Sequence, residues 1–205
     1  LVTTVVSCDS WLDLGSEDRI MENTLFSSQA GFMTALNGVY IELNTNELYG
    51  RNLTAGALDV MGQYYSVASS SHAFYNYGGL VYTGNDEKAL FDNMWQKCYA
   101  VIACCNTIIE KCDENKAGLS PVWKGSIKGE ALALRAMLHF DMLRLFGPLT
   151  SELDKESIPY QTNSDQTVTP LLSGSEVIGL ILDDLKNAVG LLKDTDPYFV
   201  EEEFS

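Results

Sequence analysis

Cys98, Cys105 and Cys112 recur every seven residues, and Cys104 sits beside the middle one. Thiols at this spacing could form disulfides, hold a soft metal or simply pack. Along a helix, residues seven apart are separated by about 10 Å, which is beyond disulfide reach. No CxxC and no neighbouring His supplies further metal ligands. The expectation is therefore packing, as small apolar residues along a seam between helices. Of the two histidines, His72 lies in a polar stretch, and His139 lies in an apolar helix next to Phe140, where packing is again expected. No Ser-His-Asp grouping appears, and Gly78-Gly79 lacks the Lys-Ser/Thr of a phosphate loop. Asp183-Asp184 is expected on a solvated helix face. Glycoside hydrolysis needs two carboxyls across the scissile bond, and no such pair stands out. The chain is thus expected to be no enzyme, with no catalytic residue, no metal and no cofactor.

A different chemistry is written in residues 60–85. These 26 residues hold no Asp, Glu, Lys or Arg, where a chain that is 20% charged would hold about five. They carry five of the ten tyrosines: Tyr64, Tyr65, Tyr75, Tyr77 and Tyr82. Gln63, His72, Asn76 and the run Ser69-Ser70-Ser71 accompany them. Tyr, Ser, Gly and Asn together make adaptable recognition surfaces. A tyrosine offers a flat apolar face and a hydroxyl at once. A sugar ring suits both, because its C–H faces stack on aromatics and its hydroxyls pair with Asn, Gln and Asp. The candidate ligand-binding residues are Asp59, Tyr64, Tyr65, His72, Tyr75, Asn76 and Tyr77. The alternative is a loop whose tyrosines only pack on the helices.

Helices must position this stretch. Thr24 or Ser27 can cap one running to about Leu43, with Phe32, Leu36, Val39, Tyr40 and Leu43 as its buried stripe. Residues 85 to 113 form the clearest helix, capped by Asn85 or Asp86, with Met94, Cys98, Val101, Cys105, Ile108 and Cys112 on one face. Residues 121 to 146 form another, with Pro121 in the first turn and Gly147-Pro148 as the stop. Its apolar positions cover more than one face, so it should pack on both sides. Residues 149 to 172 read as a loop. Ser173 or Ser175 caps a last helix that ends before Asp196-Pro197. The fold class is all-α, of tetratricopeptide-like helical hairpins, with a long irregular segment over roughly residues 46 to 84. A strict 34-residue repeat is not visible.

The 205 residues carry 13 basic and 28 acidic side chains, a net charge of −15. That balance argues against nucleic acid, which needs clustered Lys and Arg. No run of about 18 apolar residues offers a membrane-spanning helix. Leu1–Val6 reads instead as the tail of a signal-peptide apolar region. Val5-Val6-Ser7-Cys8 resembles a bacterial lipobox, where the Cys thiol carries diacylglycerol and stable anchoring takes more than one acyl chain. An incidental Cys in an apolar N-terminal strand or tag is the other reading.

Several segments together resemble the SusD/RagB lipoproteins of Bacteroidetes. Ser7-Cys8-Asp9-Ser10-Trp11-Leu12-Asp13 looks like the family's mature start. Phe32–Tyr40, ending Leu36-Asn37-Gly38-Val39-Tyr40, resembles its first helix, and Trp95, Tyr99, Ile102, Asn106 and Ile109 its next. The most specific match is Gly129-Glu130-Ala131-Leu132-Ala133-Leu134-Arg135-Ala136, then Phe140-Asp141 and Leu145-Phe146-Gly147-Pro148. Ile158-Pro159-Tyr160, Thr167-Val168-Thr169-Pro170 and Glu176-Val177 through Asp184-Leu185 follow in the family's order. The resemblance implies residues 1–8 as signal-peptide remnant and lipobox, with Cys8 lipidated. It implies residues 9–205 as an N-terminal helical domain, incomplete at its C-terminus. It further implies a cell-surface, lipid-anchored protein of the outer membrane that binds an oligosaccharide, in some members a peptide, and partners a SusC-like TonB-dependent transporter. The alternative function is a tetratricopeptide-type scaffold that binds protein or peptide.

Overall fold

A computed structural model of the chain describes residues 21–165 and 168–196. The expected lipidation site, Cys8, lies outside the described residues. The long helices fall where the periodicity places them. They are α1 (Gln29–Leu43), α4 (Asn85–Glu114), α5 (Pro121–Phe146) and α6 (Gly174–Thr195). Two short helices, α2 (Ala57–Met61) and α3 (Tyr75–Gly78), interrupt the otherwise irregular segment between α1 and α4.

The ends of these helices follow from local chemistry, with two corrections. Residues 21–25 are themselves helical. Ser27 Oγ donates to the Thr24 carbonyl at 2.7 Å and so closes that turn. The cap of α1 is the next residue, Ser28, whose Oγ accepts from the Gly31 amide at 3.2 Å. At α4, Asn85 is the first helical residue and Gly84 is the cap. A methyl group at Gly84 would meet Glu87 Oε2 at 1.9 Å, so the folded-back Glu87 carboxylate occupies the space where a capping side chain would sit.

Between α4 and α5, Asn115 adopts the left-handed conformation at φ 46°. Its side chain brackets Leu119, accepting from the amide at 2.7 Å and donating to the carbonyl at 3.2 Å. This closes the helix in the manner of an αL cap. Ser120 then caps α5 with Pro121 in its first turn.

The α4–α5 seam forms the centre of the core. Met94, Cys98, Cys105 and Cys112 from α4 are fully buried together with Ile127, Leu138 and Met142 from α5. The heptad cysteines are free thiols that fill this seam, as their spacing predicts, while Cys104 points outward. Burial pushes the Cys112 thiol up to about 11, which keeps it protonated and unreactive. On its other side α5 packs against α6. The two approach so closely at Gly129 that a Cβ there would lie 2.7 Å from Leu192 Cγ. Helix α5 therefore packs on both sides, as its two apolar faces require.

The described part of residues 149–172 holds regular structure in place of the expected loop. A 3-10 turn (Thr150–Glu152) precedes strand β1 (Glu156–Pro159), which pairs antiparallel with β2 (Leu171–Ser173). Glu156 lies opposite Ser173, and Pro159 opposite Leu171. The pairing is non-local, and what holds it is the burial of Ile158 and Tyr160 against the helices. Ser173 then starts α6 with a capping box. Its Oγ accepts from the Glu176 amide, and the Glu176 carboxylate accepts from the Ser173 amide at 2.8 Å. Replacing Ser173 with Ala removes the Oγ bonds to the Glu176 amide and carboxylate and leaves only the backbone amide to hold that carboxylate. Urea denaturation should report a loss of about 1 kcal/mol.

Candidate functional site

The neutral segment folds into two arms that face each other across a groove. The first arm leaves α2 through Gln63, a non-glycine residue at φ 63°. The Tyr64 amide donates to the Asp59 carbonyl at 2.9 Å and turns the chain. The second arm is α3 and the turn after it. There the Val81 amide donates to the Asn76 carbonyl at 2.9 Å, and Leu80 takes φ 53°. One side-chain bond spans the two arms: Gln63 Nε2 donates to the Gly78 carbonyl at 2.9 Å. The groove between them has a volume of about 400 Å3. Tyr65, Ser66 and Val67 from the first arm and Tyr75, Asn76, Gly78, Gly79 and Val81 from the second line it together with Gln63. No charged side chain lines it.

The structure thus brings together three of the candidate residues, Tyr65, Tyr75 and Asn76. Both tyrosines are exposed, at 57% and 43%. Asn76 is held by an anchor outside the groove, since its Nδ2 donates to Glu87 Oε1 at 2.7 Å. That bond holds the Glu87 carboxyl below the usual carboxylate range. Tyr64 is 81% exposed but stands beside the groove, its ring over Gly62. His72 is also exposed and outside it. Its Nδ1 accepts from the Phe74 amide at 3.1 Å, which shapes the turn into α3. Asp59 is half-buried within α2 and does not line the groove.

Tyr77 is a correction. It is 2% exposed, so its ring cannot stack on a ligand. It packs instead between Phe74 and Phe91 at centroid distances of 5.8 and 6.0 Å. From Phe91 the ring contacts continue edge-to-face through Phe146 to Trp95, tilted from Trp95 to Tyr99, and edge-to-face again to His139. This row of rings fastens the groove segment to the α4–α5 hairpin. Such pairs are worth roughly 0.5–1.5 kcal/mol each beyond area burial.

Gln63, Ser66, Val67 and Val81 were not among the candidates. Gln63 and Ser66 share the neutral polar composition that marks the stretch, so composition could have included them. Nothing local distinguishes the two valines as wall residues.

A second constellation lies in the core, under the α5–α6 contact. Arg135 donates to both carboxylate oxygens of Asp184, from Nε and Nη2 at 2.7 Å each, and from Nη1 to Asn106 Oδ1 at 2.8 Å. The Tyr160 hydroxyl donates to Asp184 Oδ2 at 2.6 Å. Burial and the neighbouring carboxylate both push the Tyr160 phenol well above its ordinary value, so it remains a donor. Asn106 Nδ2 reaches the Asn163 carbonyl at 2.8 Å and so ties down the segment after β1. Asp184 is therefore not on a solvated face. It is 7% exposed and fully paired. Every polar end in this cluster is satisfied within the protein, which suits a structural clamp.

The comparisons with known proteins agree with this architecture. Residues 10–202 match the SusD-like family profile, described as "Starch-binding associating with outer membrane". A SusD-like protein of Bacteroides ovatus is 26% identical over 193 residues, covering 91% of this chain and 32% of that protein. The SusD-like protein P2 of Formosa agariphila is 25% identical over 154 residues, 73% of this chain and 29% of that protein. The chain thus spans about a third of the length of these relatives. A SusD superfamily structure from Bacteroides vulgatus superposes with a TM-score of 0.61 at 21% identity, covering 81% of this chain and 35% of that one. A second solved structure from the same species gives 0.64 at 22%, covering 80% and 37%. These structural likenesses concern the fold, a helical arrangement of tetratricopeptide-like units. Because the profile matches residues 10–202 of its 205, the chain belongs to the SusD-like family.

Proposed function

We propose that this chain is the N-terminal portion of a surface lipoprotein that captures glycan without catalysis. In this reading Cys8 carries the lipid anchor in the outer membrane, and the captured oligosaccharide passes to a SusC-like TonB-dependent transporter. Residues 1–8 are then leader and lipobox, and 9–205 the start of a longer helical protein. The observation that carries the proposal is the uncharged groove that both Tyr65 and Tyr75 line with exposed rings. Two aromatic faces about a polar, neutral cleft suit a sugar ring, whose apolar faces and hydroxyls need both kinds of contact. The family's description as starch-binding supports the same class of ligand.

Calorimetric titration against solubilised starch and a panel of other polysaccharides tests the proposal. Tyr65→Ala and Tyr75→Ala should each weaken binding roughly tenfold, about 1.4 kcal/mol, with the fold unchanged by circular dichroism. Unaltered glycan affinity in both variants would remove the groove from the binding site. Binding of peptides with no glycan in the panel bound would favour a tetratricopeptide-type peptide scaffold instead.

A further inference from the structure

The groove's hydrogen-bonding groups are fixed in orientation, and that orientation has a chemical consequence. The Asn76 amide faces Glu87 Oε1, and the Gln63 amide faces the Gly78 carbonyl. Both partners can only accept, so each amide must turn its nitrogen toward the protein. Gln63 Nε2 also lies 3.4 Å from the Val60 carbonyl, which occupies its second N–H. What Gln63 has left for a ligand is its carbonyl oxygen, and Asn76 keeps its carbonyl oxygen and one N–H. The phenols of Tyr65 and Tyr75 add groups that can donate or accept.

The electrostatic surroundings act in the same direction. No Lys or Arg lines the groove. Behind Asn76 stands the Glu87 carboxylate. Arg51 is not among the lining residues: it lies over the Phe74 ring at 5.9 Å and donates from Nε to Asn52 Oδ1 at 3.1 Å. The chain as a whole carries a net charge of −15.

We infer that the groove selects uncharged, hydroxyl-donating glycans and rejects carboxylated or sulfated ones. This rests on the glycan-capture reading above and narrows its ligand class. A neutral sugar presents O–H donors to the fixed amide oxygens and its C–H faces to the tyrosines. The carboxylate of a uronate, or a sulfate group, can only accept, so it finds no donor match at the amide oxygens and must shed water with no lining cation to replace it. Uncharged partners also make the binding insensitive to salt, because no ion pair is there to be screened.

The test is calorimetric titration of the protein with matched probes, at low and at high salt. The probes are maltoheptaose and its sulfated form, and neutral galactan fragments and oligogalacturonate. The expected result is that at least one neutral probe binds at least about tenfold more tightly than its anionic counterpart, a gap of about 1.4 kcal/mol. Its affinity should change less than about twofold across the salt range. Anionic probes binding as tightly as neutral ones, with affinity that falls as salt rises, would overturn this inference and leave glycan capture standing. If no probe of either kind binds while peptides do, and Tyr65→Ala weakens the peptide, glycan capture itself is overturned and the selectivity with it.

Discussion

Asp184→Ala is expected to destabilise the protein by about 3–5 kcal/mol, measured by urea denaturation at neutral pH. The figure follows from what the substitution leaves behind. Arg135 is 6% exposed, and Asp184 accepts two of its N–H groups. Without the carboxylate, a guanidinium charge remains buried in the α5–α6 contact with only neutral partners. Removing one member of a buried pair costs about this much because the other charge is stranded. The Tyr160 hydroxyl loses its shortest acceptor in the same step. A loss of that size is a large fraction of the roughly 5–15 kcal/mol that holds a typical domain folded. The double variant Arg135→Met/Asp184→Leu should recover much of the loss, since neither charge is then buried. If Asp184→Ala changes stability by less than about 1 kcal/mol, the pair is solvated in solution and the clamp reading fails.

Acidification is the second strong perturbation. His139 is fully buried. Its Nδ1 lies 2.9 Å from the Arg135 carbonyl, and its Nε2 accepts from the Gln161 amide at 3.0 Å. An amide can only donate, so Nε2 must be the unprotonated nitrogen and the ring is neutral. Burial, with the nearby Arg135 cation, lowers the imidazole from its ordinary value near 6.5 to about 4. Between these two values the unfolded chain takes up a proton that the folded chain does not. Stability from this group is therefore complete above pH 6.5 and is lost progressively as pH falls toward 4. Linkage puts the loss at about 3 kcal/mol across that interval. The NMR signal of the His139 ring should stay in its neutral position down to about pH 4. In His139→Gln, stability at pH 7 should be lower but should fall less steeply between pH 6.5 and 4. A wild-type ring that titrates near 6.5 would contradict the buried, singly protonated arrangement.

The sequence was most legible where the determining chemistry is local. The limits of α5 follow from Ser120-Pro121 at one end and Gly147-Pro148 at the other. The limits of α6 follow from the Ser173–Glu176 box and from Asp196-Pro197. The start of α1 was displaced by one residue because Ser27 serves the preceding turn, and two adjacent serines cannot be ranked as caps without that turn. Strands β1 and β2 were not legible, because twelve residues or more separate the paired positions and the pairing depends on Ile158 reaching the helices. Tyr40 continues the α1 stripe by spacing, yet it is 44% exposed, with its hydroxyl donating to Glu130 at 2.8 Å. A period locates a face but does not say how far a neighbour extends over it.

The clamp was readable in principle. Val177, Ile181, Asp184 and Ala188 share one buried face of α6, and Arg135 falls among Ala131, Leu138 and Met142 on α5. A charge of each sign inside an apolar stripe is a signal for a buried pair. Asp183 and Asp184 are a doublet only in sequence, since adjacent residues on a helix point about 100° apart.

By itself the sequence determined the helical class, the limits of α5 and α6 and the place where charge disappears, because propensity, capping and composition act over a few residues. It also marked the stretch from which the groove is built. Only the tertiary structure decided that Tyr65 and Tyr75 face a common space while Tyr77 is spent on packing. Phe91, which covers Tyr77, comes from a different helix, and whether a side chain is covered or free depends on contacts between segments that local rules do not see.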